Sequence, residues 1–509
     1  MVKKLSEKFI KYTAWADSLM LILTVFACTF FIYKDFNLRM LYGYAVCGLI
    51  IFIHCLRRII LHRAPHFNRI KVAYFVMVAV VFICFLRPDS RHDVDTVSYI
   101  LSMIICSLFV FFSTPTDREL KATIWVLTAA AVFFSLYTLL FTIYPDFYWK
   151  LIFPHLSVET QVMTRYYVPR GYSIPVGGSY TFVDYLIALA LPLSLAMFFS
   201  KKKTKWVAIP VVIICYLYLA AAILIGRRGE MLSLIGAFGL VILFSMNFKN
   251  GKAVAKRAVA GVLLFVVFGL MLTSFALIGI APRYKETVEK VYANIQIDIR
   301  EREANKPIPV VPEGPAESDP SAFTPTERKD ISSGRMQLWE IAWDQFIKHP
   351  VIGIGWGGFA DQVSEEFNQA HAGGGQQNVV NVHNCYLQFL CETGIIGGAL
   401  ILVPFLYIFI LSIVQMLRSS SKDKKLTRLL STLSFGGLSF FHLVSILDMS
   451  FYQYKFWAFY GILILSSYAA LERDGFDSRD YFGHTMTKFS NFINRLFSKR
   501  IDHKTGDVE

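Results

Sequence analysis

The sequence predicts an all-α polytopic membrane protein of about twelve transmembrane helices with one large exterior loop. Three observations predict it. Hydrophobic residues make up 55% of the 509 and charged residues 17%, less charge than a soluble chain of this length carries. Apolar runs of roughly 20 residues, the helix length that crosses the hydrocarbon core, recur along the chain. Lysine and arginine concentrate in every second segment joining those runs.

Candidate spans fall near 14–33, 40–56, 70–86, 97–113, 121–143, 180–200, 206–226, 230–247, 258–281, 385–416, 429–448 and 452–471. The first lacks a small-residue cleavage site and is followed by further spans, so it reads as a membrane helix and not a cleaved signal. The tenth is long enough to hold an interfacial helix ahead of its span. With the N-terminus inside, the interior segments hold Lys3, Lys4, Lys8 and Lys11; Arg57, Arg58, Arg63, Arg69 and Lys71; Arg118 and Lys121; Lys201, Lys202, Lys203 and Lys205. Lys249, Lys252, Lys256 and Arg257 follow, then Arg418, Lys422, Lys424, Lys425 and Arg428, and seven more in the tail. Short exterior loops hold at most two each, so both termini read as cytoplasmic.

The chain thus divides into residues 1–281 with nine spans, an exterior loop 282–384, residues 385–471 with three spans, and a basic cytoplasmic tail 472–509. The net charge of +14 follows this topology and calls for membrane lipids as neighbours, with no nucleic acid. The eight cysteines (28, 47, 55, 84, 106, 215, 385, 391) lie in or beside apolar runs with no CxxC, and read as small buried residues.

Three places depart from the plain bundle. Residues 144–179 form a second exterior loop, rich in aromatics, with Arg165 and Arg170. The turn after the seventh span reads GRRGE and puts Arg227 and Arg228 at the outer face, where the positive-inside bias disfavours them. The third is the large loop. Its residues 301–330 carry six prolines and little aliphatic content, the composition of a flexible insertion. Beyond it, Ser332 and Ser333 can cap a helix in which Met336, Trp339, Ala342, Trp343, Phe346 and Ile347 recur at helical spacing. His349-Pro350 ends that helix, since a residue before proline is pushed out of helical geometry. GIGWGGF, with Gly353 and Gly355, then makes a backbone-exposed turn. Arg335 sits in the first helical turn, where a cation is mildly unfavourable against the dipole, so a nearby anion is expected.

These pieces carry a resemblance. RMQLWEIAWDQFIKHPVIGIGWGGF, HNCYLQFLCETGIIGG and GRRGE resemble, in the same order, the R-x3-W…hP-h-x-G-h-G-x-x-F segment, the H-N…E-x-G block and the exterior arginine turn of the O-antigen ligase and O-antigen polymerase superfamily. The resemblance covers about 220–400, and the six-proline insertion departs from the family's compact loop. It implies a GT-C-like fold in the bacterial cytoplasmic membrane with its active site facing outward. It also implies a metal-independent inverting glycosyltransferase of cell-surface polysaccharide biosynthesis. Such an enzyme moves a glycan from undecaprenyl diphosphate to a hydroxyl of a glycan, lipid or protein acceptor, without cofactor.

A departing diphosphate without a metal needs arginines, whose planar fork matches phosphate oxygens. Arg227, Arg228, Arg335 and Arg170 are the diphosphate-binding candidates. Arg227 and Arg228 equally suit snorkelling interfacial cations, Arg335 a surface helix residue, and Arg170 a loop cation or acceptor contact. His383 is the candidate base, with a helix-start histidine bonded to backbone as the alternative. Asn384, Glu392, Gly353 and Gly355 support it. Glu392, just within a span, needs a polar partner, as does Asp184 in the sixth span. His349 reads as a helix terminator. No metal is expected, on the reading that the chain holds no D-x-D run and no His/Asp/Glu cluster with ligand spacing.

A ligase and a repeat-unit polymerase are not separated by these motifs. A transporter or flippase also fits twelve spans, yet its usual central cytoplasmic loop is here only KKKTK. A receptor or scaffold using the proline-rich insertion as a docking peptide ranks lower still. The topology has a direct test: a reporter fused after Pro315 should be active only outside the membrane and one after Lys424 only inside. Labelling of a cysteine at Ser321 from the cytoplasm would overturn it.

Overall fold

The structure is a computed structural model. It describes residues 2–13, 40–60, 65–156 except 93, 158–170, 180–198, 205–244, 335–360, 381–419 and 425–476 except 453, with scattered residues between 259 and 297. Among these the regular structure is helical. The principal helices are α1 (Val2–Tyr12), α2 (Met40–Ile60), α3 (Arg69–Phe85), α4 (Val94–Phe112), α5 (Asp117–Ile143), α6 (Val158–Tyr167) and α7 (Tyr180–Phe198). They continue as α8 (Lys205–Ile225), α9 (Arg228–Phe244), α10 (Arg335–Lys348), α11 (Cys385–Ser419), α12 (Lys425–Leu447) and α13 (Tyr454–Asp474). Every expected span except the first and the ninth coincides with one of these helices. The first lies outside the described residues and the ninth largely so, as does the proline-rich insertion. By length and composition α5, α11 and α12 can cross a membrane, and shorter apolar helices run over Tyr99–Phe112, Val183–Met197 and Ile209–Ile225.

Local chemistry sets the helix limits. Thr116 and Glu119 close a capping box at the start of α5, satisfying donors that the first turn leaves unpaired. Pro145 follows the end of α5 and begins a run of short turns up to His155. These turns fold back on the last two turns of α5 through Phe141, Tyr148, Phe153 and Leu156.

Helix α12 is the hub, packing on α7, α9, α11 and α13. Its sequence suits that place. Ser431, Ser439 and Thr432 return their hydroxyls to the carbonyls one turn back, so polar side chains are buried at no hydrogen-bond loss. At Gly436 a Cβ would stand 2.4 Å from Pro192 Cγ, so α12 and α7 approach as closely as small residues permit. The described cysteines are free thiols, buried or half-buried, as the composition suggested.

Helix α11 is broken at Gly394 (φ 65°, ψ −170°), which separates a short leading segment from the longer apolar one. The break strands two carbonyls and two N–H groups, and the turn after α10 takes all four. Ile354 N and Gly355 N donate to Cys391 O (3.1 Å) and Glu392 O (2.9 Å), while Ile395 N and Ile396 N donate to Pro350 O (2.8 Å) and Val351 O (3.3 Å). Those are the very groups that would have bonded to each other, four residues apart, in an unbroken helix.

This exchange depends on Gly353 and Gly394. Both have positive φ, and a Cβ would meet Glu392 backbone at 2.3 Å and Val351 O at 2.3 Å respectively. Gly353→Ala and Gly394→Ala should therefore each destabilise the protein by more than the ~1–3 kcal/mol of backbone strain alone. Gly475→Ala, also at positive φ but with nothing within 4 Å, should cost only that strain. Thermal melts of the purified protein would show this. Equal melting of all three variants would mean the turn does not dock as described.

Candidate active site

The chain around His383 is built from local hydrogen bonds. Among the described residues His383 alone, other than glycine, has positive φ (55°), and its N–H donates to Asn381 Oδ1 (3.2 Å). Strained backbone of this kind persists where the surroundings enforce it, often at functional sites. Asn384 then caps α11, its Oδ1 accepting from Leu387 N at 3.1 Å. Asn384 is thus the helix cap, and it fixes where the preceding imidazole stands.

That imidazole meets a carboxylate the sequence reading passed over. His383 Nδ1 lies 3.2 Å from Asp448 Oδ1, just past the end of α12. Asp448 is 5% exposed at its side chain and His383 is 39% exposed, so one end of the ring is anchored and the ring itself stays accessible. Asp448 Oδ1 also accepts from Met449 N (2.8 Å), and its Oδ2 accepts from Arg227. Burial by itself would raise the Asp448 carboxyl. The Arg227 guanidinium and the His383 bond outweigh it and hold the carboxyl well below the usual range. Asp448 is therefore an anion throughout the neutral range.

Arg227 is held on two sides, by Asp448 and by Glu230 one turn into α9, whose side chain is 3% exposed. Asp184 of α7, also buried, lies within electrostatic reach of Arg227 and Glu230, which supplies the polar company expected for it. Arg335 enters from α10. Its Nη1 donates to Leu447 O at 2.6 Å, capping the end of α12 next to Asp448, and it stands 3.6 Å from where a Gly229 Cβ would be. Arg228 begins α9 beside Arg227 and is half-buried. Arg170 ends the 3-10 turn Val168–Arg170, and its side chain lies outside the described residues.

Glu392 holds the floor of the site. It accepts from Gln388 Nε2 (2.8 Å) and from Tyr452 Oη (2.7 Å). Burial first, and Glu392 next, push the Tyr452 phenol well up, so it remains a donor. Tyr452 stacks on Trp356 at 4.7 Å and 16°, which ties the α10 turn to the link that carries Asp448. Gly355 lets this turn approach Asp89, whose carbonyl a Cβ would meet at 2.3 Å, and Trp356 N donates to Ser90 Oγ at 3.1 Å. His349 ends α10 as expected, its backbone carbonyl accepting from Gly353 N at 3.1 Å.

Two expectations need correction. The apolar stripe read on α10 is only partly the packed face: Leu338, Ala342 and Gln345 are buried, whereas Met336, Trp343 and Ile347 are about half exposed. The chain also carries one D-x-D run, Asp93-Val94-Asp95 after His92, so ligand spacing is not absent from the sequence. Asp93 and the Asp95 side chain lie outside the described residues, and among those described no group of three His, Cys, Asp or Glu could hold an ion.

The arrangement can bind an anion at an arginine-rich turn and take a proton on an anchored imidazole. No curated protein matches the chain. A family model described as O-antigen ligase matches residues 213–402, a stretch holding Arg227, Arg228, Arg335, His383 and Glu392 but ending short of Asp448. The chain is a membrane protein in which residues 213–402 form a domain similar to the O-antigen ligase family.

Proposed function

We propose that this protein is a metal-independent inverting glycosyltransferase. It moves a glycan from undecaprenyl diphosphate to an acceptor hydroxyl at the outer face of the bacterial cytoplasmic membrane. The observation that carries the reading is the bond between His383 Nδ1 and buried Asp448. A carboxylate there accepts, so Nδ1 carries the proton and Nε2 keeps a free lone pair. Nε2 then takes the proton from the acceptor hydroxyl as its oxygen attacks the anomeric carbon. The bond from that carbon to the diphosphate breaks on the opposite face, and the diphosphate leaves with the electron pair.

The arginines divide the remaining work. Arg227 already has two carboxylates and serves chiefly to keep Asp448 in place. Arg335, bonded to a single backbone carbonyl among the described residues, and Arg228 neutralise the leaving diphosphate, with Arg170 a further contact from the 144–179 loop. A polymerase, passing the glycan to a second lipid-linked repeat unit, uses the same groups. In cells lacking the gene, long chains on the carrier indicate a ligase and single repeat units a polymerase.

His383 works only as the neutral ring, and Asp448 stays ionised across the range. His383→Ala should abolish transfer and Asp448→Asn should lower it on the order of 10²–10⁴-fold by releasing the ring's tautomer and orientation. His349→Ala, whose structural contribution here is backbone only, should retain part of it. Assays with purified protein, lipid-linked glycan and chelator decide the matter. Full activity in His383→Ala, or loss of wild-type activity on chelation, would overturn the reading.

Arg335→Ala should remove about 3 kcal/mol of stabilisation from the developing charge, a hundredfold or more in rate, with the protein still inserted. Arg228→Ala should act similarly. Normal turnover in both variants would put the diphosphate elsewhere.

A further inference from the structure

Helix α10 has three faces where a helix of a water-surrounded loop has two. Leu338, Ala342 and Gln345 face the protein core, and Gln337, Glu340, Asp344 and Lys348 form an exposed polar face. Between them lies a third face, Met336, Trp343 and Ile347, at 52%, 48% and 58% exposure. These three positions fall within one narrow arc at 100° per residue, so their exposure is a stripe and not a scatter.

The stripe does not stop at the helix. Val351 and Ile352 of the following turn are exposed, and so are Ile395 and Ile396 at the start of the long apolar segment of α11. The backbone bonds Ile395 N to Pro350 O and Ile396 N to Val351 O join the turn and that segment directly. Leu400 and Val403, one and two turns further along α11, are also about half or more exposed. An exposed apolar row on a helix that can cross a membrane faces acyl chains. The row on α10 is the same surface carried past the end of the span.

We infer that α10 lies in the boundary between headgroups and acyl chains, with Trp343 and Ile347 in lipid and its polar face toward water. The partner of this surface is the bilayer itself. Tryptophan suits that depth, since its ring is apolar with one polar edge, and the flanking charges stay hydrated. The inference stands on packing and exposure alone and does not depend on the catalytic reading. Its consequence for the site is that Arg335, in the first turn of α10, is mounted at the level of lipid phosphate.

Photo-crosslinking tests this in the full-length protein. p-Benzoylphenylalanine would replace Trp343, Ile347 or Ile352, and separately Glu340 or Asp344, in nanodiscs of phosphatidylethanolamine and phosphatidylglycerol. Phospholipid adducts at 343, 347 and 352 should exceed those at 340 and 344 several-fold, as read by mass spectrometry of variants that melt like the parent. Should one apolar position fail to fold, the other two report the same surface. Equal lipid yields on the two faces, or adducts to a second copy of the chain in place of lipid, would overturn the inference.

Discussion

The Asp448 carboxylate is the interaction on which the rest of this structure depends. It accepts from the imidazole on the chain entering α11, from the guanidinium between α8 and α9, and from its own following amide. Three separate stretches of chain are thereby referred to one buried anion. An isolated buried carboxylate is expensive, and one with three donors, one of them a guanidinium, is not. The bundle can therefore bury it, and burial in turn makes its bonds strong and its geometry fixed. Loss of any one donor would leave a charge that the surrounding apolar helices cannot solvate.

The second constraint is the broken helix. A kink normally leaves carbonyls and amides to water or to side chains. At Gly394 the turn after α10 substitutes for the missing segment of helix, group for group. The loop is therefore held against the bundle by main-chain bonds, with Glu392 and the Trp356–Tyr452 stack behind them. This couples the position of Arg335, at one end of α10, to that of Asp448, through the link that carries Tyr452.

The sequence was most legible where the physics is one-dimensional. Apolar runs long enough to cross a bilayer coincide with helices wherever the structure describes them, because length and hydropathy alone decide that outcome. The H-N…E-x-G block and the arginine turn pointed to His383 and Arg227, which bond one carboxylate, and the R-x3-W segment pointed to Arg335, which caps the helix end beside it. Asp448 itself was not legible, being a lone acid in a short link between two spans with no motif around it. An acid at a membrane boundary that needs a partner was the available signal, applied to Glu392 and Asp184 but not to it. The pairing of Arg227 with Glu230 was missed because an i,i+3 contact looks the same in sequence whether buried or solvated. On α10 periodicity found the apolar residues, yet could not tell which of them meet protein and which meet another apolar phase. The exchange of bonds at Gly394 was out of reach, since it involves backbone atoms common to every residue.

The end of the family domain at residue 402 bears on how this protein could be recombined. The segment 213–402 carries His383, Arg227, Arg228 and Arg335, but the carboxylate that bonds His383 and Arg227 lies beyond it, just past α12. On the proposed mechanism the matched segment is thus a sequence unit without being a working unit. A chimera that imported this segment alone would have its histidine aligned by whatever acid the host's next helix presents, at whatever height that helix ends. The natural exchangeable module runs on through the link after α12, and the boundary between inherited chemistry and host scaffold lies past Tyr452.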